Sequence, residues 1–129
     1  MINTETMEGK ISSDDNVQKI ISATNRKGWN VSTDERENGA ILFEFSQFTP
    51  AGQDFSFSAG MTDGDPATLV EDIKKYYEGF NVDEEAYLWI DPDGHGRKGV
   101  PYHIKDIVSD MEAAEEMVYR LYELLNEIF

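Results

Sequence analysis

Between Ile41 and Met61 the chain alternates large apolar and polar side chains, with one break at Thr49-Pro50-Ala51-Gly52. Successive side chains of an extended strand point to opposite faces. Ile41, Phe43 and Phe45 therefore point one way while Leu42, Glu44 and Ser46 point the other, and the break turns the chain back. Phe55, Phe57, Ala59 and Met61 then alternate with Asp54, Ser56 and Ser58. Upstream, Trp29, Val31 and Thr33 follow the same period. Glu37-Asn38-Gly39 joins them to Ala40–Phe48, and Asn-Gly is a hairpin signal because both residues tolerate positive φ. The pattern predicts a three-stranded antiparallel β-meander with one aromatic face that must be covered and one wet face.

The cover comes from segments of helical period. Residues 1–12 are polar and aperiodic and read as a flexible leader, with 13–129 forming a single α+β domain. A first helix is expected from Ser13 as N-cap, with Val17, Ile20 and Ile21 on one face and Gly28 at its end. Asp65-Pro66 predicts a cap and first turn, followed by the stripe Leu69, Val70, Ile73, Tyr76, Tyr77 and Phe80. Asn81 and Glu84 predict the start of a shorter helix with Val82, Ala86, Trp89 and Ile90 inward; a strand from Tyr87 to Ile90 is the alternative. From His103 to Ile128 runs the stripe Ile104, Ile107, Val108, Met111, Ala114, Val118, Leu121, Leu125 and Ile128. Ser109 and Glu112 have capping-box spacing, so this element either breaks near Asp110 or runs through. The fold class is α+β: the meander packed against three to four helices. Its core draws on Trp29, Phe43, Phe45, Phe55, Phe57, Ile73, Tyr77, Trp89, Val118 and Leu121.

The charge narrows the choice of partner. The sequence has 26 acids against 11 bases, a net charge of -15 on 129 residues, and no cysteine. Such a surface repels nucleic acid and anionic lipid and attracts cations and basic proteins, and its stability should depend on salt. The isolated pairs Lys74-Lys75 and Arg97-Lys98 make no nucleic-acid footprint, so no direct nucleic-acid binding is expected. Without cysteine there is no disulfide framework, thiolate metal site or thiol nucleophile. No apolar run reaches the roughly 20 residues of a membrane span, and Met1–Ser12 lacks a signal-peptide core. The expectation is a cytoplasmic protein without membrane contact.

Residues 91–103 hold both histidines, with Asp91, Asp93, Arg97 and Lys98 among glycines and prolines. Read as an EF-hand, the stretch fails: His95 takes the fifth position, where an oxygen is required, and Tyr102 the twelfth, where a bidentate glutamate is required. As a transition-metal or small-ligand site, Asp91, Asp93, His95 and His103 supply the right donors, but nothing in their spacing enforces convergence. A surface loop with tight turns and Asx-turns explains the same residues. There is no phosphate loop, no G-x-S-x-G and no H-E-x-x-H, and Ser46, Ser56 and Ser58 fall on the wet face of the strands. The expectation is a non-enzymatic protein without a cofactor, with a ligand or metal site on the 91–103 loop as the alternative.

The acids themselves are the remaining feature. Glu112, Glu116, Glu123 and Glu127 fall opposite the apolar stripe of the last helix, interrupted only by Arg120. Asp83, Glu84 and Glu85 are consecutive, within a segment from Asp63 to Asp93 that holds ten acids against Lys74 and Lys75. Carboxylates at i and i+4 lie about 6 Å apart along a helix axis, so a rigid acidic helix presents a row of charge like that of a nucleic-acid strand. The competing explanation is a solvated face that confers solubility alone. The expected partner is a basic protein surface, with Asp83–Glu85 and the four α-helical glutamates as the contact residues. Leu124, Leu125, Ile128 and Phe129 are candidates for a homodimer contact.

Two stretches carry a resemblance. Phe43-Glu44-Phe45 through Thr49-Pro50-Ala51-Gly52-Gln53-Asp54-Phe55-Ser56-Phe57-Ser58, and Gly94-His95-Gly96-Arg97-Lys98-Gly99-Val100-Pro101 before the acidic last helix, resemble small acidic proteins of unknown function carried on bacterial mobile elements. The resemblance covers most of the sequence after about Val31. It implies no activity and carries over no functional residues. What it does imply is a role in conflict between host and element, such as anti-restriction or another inhibitor function.

Overall fold

The computed structural model of the protein describes residues 4–88 and 104–129, with side chains placed for 15–88 and 107–129. The elements run α1 (Thr4–Asn25), β1 (Asn30–Glu35), β2 (Ile41–Phe48), β3 (Asp54–Met61), α2 (Pro66–Glu78), α3 (Val82–Leu88) and α4 (Ile104–Ile128). This is the expected α+β architecture, with one antiparallel sheet in the order β1-β2-β3.

The register follows from the alternation. Phe45 of β2 pairs with Val31 of β1 and Phe57 of β3, while Phe43 pairs with Thr33 and Ala59. Phe43, Phe45, Phe55, Phe57, Ala59 and Met61 are buried, whereas Glu44, Ser56 and Ser58 are exposed on the opposite face. A one-residue slip would exchange these sets, so burial of the aromatic face holds the register. Trp29 meets Phe45 and Phe57 edge-on, with centroids 6.3 and 5.9 Å apart.

Both hairpin turns are built alike. Arg36 N–H donates to Ala40 O (2.7 Å) and Gly39 N–H to Arg36 O (3.1 Å); Thr49 N–H donates to Gln53 O (2.8 Å) and Gly52 N–H to Thr49 O (2.9 Å). Gly39 and Gly52 sit at φ 77° and 94°, which closes each three-residue connection with a left-handed residue. The Asn-Gly pair thus uses positive φ only at its glycine.

The helices form the second layer. α2 packs on β3 and α1 on β1, and α4 crosses α1, α2 and α3. Asp65 caps α2 as expected, its Oδ1 accepting from Ala67 N at 3.0 Å ahead of Pro66. Tyr76 of α2 stacks on Phe57 with centroids 4.5 Å apart. Asn81 Oδ1 accepts from Glu84 N (3.1 Å), so 82–88 is helical rather than strand. Along α4, Ile107, Met111, Ala114, Val118, Leu121 and Leu125 are all buried. Their spacing alternates four and three, the seam of a helix packed lengthwise on its neighbours. The expected core is buried, except that Tyr77 is half-buried and Trp89 lies outside the described residues.

One helix boundary differs from expectation, and one that the sequence leaves open is decided. α1 begins at Thr4, so Ser13 lies inside it and residues 4–12 are helical rather than an aperiodic leader. No proline interrupts 4–25 and Glu5 and Glu8 favour a helix start, so nothing local stops the helix from reaching back. α4 runs unbroken through Ser109, with Ile107 and Met111 on either side of it in the same buried seam. At the other end of α1, Gly28 is favoured by its φ of 92°, and a Cβ there would displace Gln47 Nε2 from its hydrogen bond to Lys27 O. No helix among the described residues is long and apolar enough to cross a membrane.

Candidate functional site

The continuity of α4 orders its acids. Glu112, Glu116, Glu123 and Glu127 are exposed, opposite the buried seam. At 3.6 residues per turn they fall within an arc of about 60° and span roughly 22 Å of axis. Arg120 lies in the gap between Glu116 and Glu123, and its Nε donates to Glu116 Oε1 at 3.1 Å. Both side chains are largely exposed, so this pair contributes little to stability and leaves Glu112 and Glu127 uncompensated. Glu123 holds the Tyr119 hydroxyl above the ordinary phenol range, first by its charge and also by accepting a hydrogen bond from it.

α3 packs against α4, which sets the Asp83–Glu85 cluster beside the helix bearing the other four glutamates. Asp83 and Glu84 are exposed; Glu85 is half-buried. Burial, reinforced by the neighbouring charge of Glu84, raises the Glu85 carboxyl above the usual range. Burial and the Glu85 charge likewise raise the Tyr76 phenol. Glu85 is thus partly withdrawn from the surface, while Asp83 and Glu84 remain free to meet a partner.

Negative charge is not confined to this flank. Asp34, Glu35 and Glu37 are exposed on the first hairpin, Glu44 on the open face of the sheet, and Glu71, Asp72 and Glu78 on α2. Two cation–carboxylate pairs seen among the described residues are Arg36–Asp34 at 3.3 Å and Arg120–Glu116. What sets α4 apart is therefore the order of its charges, not their presence.

Several expected site residues fall elsewhere. Asp91, Asp93, His95 and His103 lie outside the described residues, and among the described residues no group of three or more His, Asp or Glu side chains is arranged to hold a metal ion. The candidate homodimer contact divides: Leu125 is fully buried and faces the core, Leu124 is half-buried, and only Ile128 and Phe129 are exposed. A single face of four free apolar side chains does not exist there.

Two features escape a reading of the sequence. A groove of about 520 Å³ opens where the inner face of β2 passes from Phe45 to the polar Gln47, between Lys27 and Trp29 on one side and Met117, Arg120 and Glu127 on the other. Beneath the second hairpin, buried Asp110 accepts hydrogen bonds from the Thr49 hydroxyl (2.5 Å) and Ala51 N (3.2 Å), while Thr49 Oγ1 accepts from Gln53 N (2.9 Å). Asp110 adjoins the core position Met111, and a carboxylate on that flank of an apolar stripe is the signal that could have marked it.

Fold and surface together define an acidic α+β domain with an ordered row of carboxylates on its longest helix. No protein-family model, curated protein or solved structure matches the sequence.

Proposed function

We propose that this is a non-enzymatic acidic binding protein. It engages the basic surface of a partner protein, in a cleft that otherwise holds nucleic acid. One observation carries this reading: Glu112, Glu116, Glu123 and Glu127 stand exposed along one side of a single unbroken helix. A rigid row of anions meets a basic groove without first having to be ordered, which lowers the entropic cost of binding. The net charge of -15 adds long-range attraction, giving fast and salt-sensitive association. Asp83 and Glu84 on α3 extend the contact. The target class is a repressor, nuclease or restriction enzyme, in keeping with the resemblance to acidic proteins of mobile elements, and the cytoplasm is where such targets work.

The test uses the basic proteins that a heparin column retains from a bacterial extract. The immobilised protein is expected to capture members of this fraction at low salt and to release them to duplex DNA. The combined variant Glu112→Gln, Glu116→Gln, Glu123→Gln and Glu127→Gln is expected to lose that capture while keeping the wild-type circular dichroism spectrum. Capture unchanged in the folded variant, or capture that DNA does not displace, contradicts the proposal.

A further inference from the structure

We propose that Asn38-Gly39, at the tip of the first hairpin, is a site of spontaneous modification at which Asn38 is converted through a cyclic imide to aspartate and isoaspartate. The protein has seven asparagines, and Asn38 alone precedes a glycine; Asn16, Asn30 and Asn81 precede β-branched valine, while Asn25 and Asn126 precede Arg26 and Glu127. Ring closure needs the following backbone nitrogen to reach Cγ of the asparagine, and a side chain on that next residue obstructs it. Gly39 presents none, and a Cβ built there would meet nothing within 4 Å, so no other element crowds Gly39 on that side.

The surroundings select the same residue. Asn38 is exposed, in a turn rather than a helix or strand. Asn25 and Asn126 lie in helices and Asn30 in a strand, where the regular backbone holds the next nitrogen away from the side chain. Asn81 is held as a cap by Glu84 N, and half-buried Asn16 donates to Gly64 O at 3.5 Å. One contact restrains Asn38: Gly39 N–H donates to Arg36 O at 3.1 Å and must let go before its nitrogen can attack. That bond closes a turn at an exposed loop tip, the part of a fold that opens most readily.

The step balances with water as the only co-reactant. The Gly39 nitrogen gives its electron pair to Cγ of Asn38 and loses its proton to water. The Cγ–Nδ2 bond breaks, and Nδ2 leaves as ammonia after taking up a proton. Water then opens the five-membered imide. Cleavage of the new N–Cγ bond yields aspartate. Cleavage of the original backbone amide bond between Asn38 and Gly39 yields isoaspartate, in which the backbone passes through Cβ and Cγ. Each product adds one negative charge beside Asp34, Glu35 and Glu37, where Arg36 is the sole base and is already paired with Asp34 at 3.3 Å. Isoaspartate also lengthens the backbone between Arg36 and Ala40, which their 2.7 Å hydrogen bond does not accommodate. β1 is an edge strand with only Val31 half-buried and the rest exposed, so the sheet loosens there first.

Purified protein held at 37 °C in mildly alkaline buffer, followed by peptide mapping with fragmentation that distinguishes isoaspartate, tests the proposal. Conversion is expected first at Asn38, as a mixture of both products, with the other asparagines slower by at least several-fold. Hydrogen exchange in β1 is expected to quicken in the converted fraction. Gly39→Ala should slow conversion at least several-fold. Because φ 77° strains alanine and could loosen the turn, Asn38→Gln, which leaves Gly39 in place and needs a larger ring, serves as the second variant and should also remain unconverted. Faster conversion at another asparagine, aspartate without isoaspartate, or an unchanged rate in both variants would overturn the proposal.

Discussion

The Thr49 hydroxyl, on the turn between β2 and β3, donates to the buried carboxylate of Asp110 on α4, 61 residues further along the sequence, at 2.5 Å. The same carboxylate takes Ala51 N–H, and Thr49 Oγ1 takes Gln53 N–H, so one acid fixes the turn to the helical layer. Hydrogen bonds to a charged partner contribute more than neutral ones, and removing one member leaves the other buried and unsatisfied. Asp110→Ala and Thr49→Val are each expected to lower unfolding free energy by about 2 kcal/mol in urea titrations. The double variant should lose clearly less than the sum of the two, because both remove the same contact. Additive losses would mean the two side chains act separately.

Gln53 makes the opposite case. Its side chain is fully buried, and neither Oε1 nor Nε2 has a hydrogen-bond partner among the described residues. A buried amide without partners costs about 1–3 kcal/mol relative to water. Gln53→Met, close in volume and without the amide, should therefore raise the urea midpoint. The Gln53 backbone, which closes the turn, is unaffected by this change. A lower midpoint would show that the amide is bonded in solution.

Glu85 gives stability a pH dependence of defined sign. Its folded-state carboxyl is raised above its unfolded value, first by burial and then by Glu84. Between those two values the folded protein holds a proton that the unfolded one has released, so stability falls as pH rises through this window. Glu85→Gln removes that loss. The variant should be more stable than the parent at about pH 7, with the difference shrinking as pH falls below the ordinary carboxylate range. Thermal melts of both proteins across the range check this, and a difference that stays constant with pH would contradict it.

Much of the fold is legible because local signals agree with the packing. Phe43, Phe45, Phe55 and Phe57 alternate so strictly that strand identity, register and buried face follow together. Asp65-Pro66 and Asn81 act locally as caps, and the structure uses them so. Where a local signal does not fix a boundary, the continuity of the apolar stripe or the lack of a stop signal decides. Ser109 and Glu112 have the spacing of a helix start, but the apolar stripe continues through them from Ile107 to Met111, and the helix is unbroken. Nothing in residues 4–12 ends a helix, and polarity alone reads as irregularity. For the candidate site, the exposed row on α4 is legible from its period. That comparable numbers of acids stand on the hairpin, sheet and α2 is not, since net charge holds no information about faces.

Two variants each remove four exposed glutamates and bring the net charge from -15 to -11, one at Glu112, Glu116, Glu123 and Glu127, the other at Glu37, Glu44, Glu71 and Glu78, all to glutamine. The measurement is release of labelled duplex DNA from a captured basic partner as each variant is titrated in. An ordered row on α4 predicts that the first set abolishes release while the second retains most of it. Equal loss in both would mean that bulk charge acts and the helix does not.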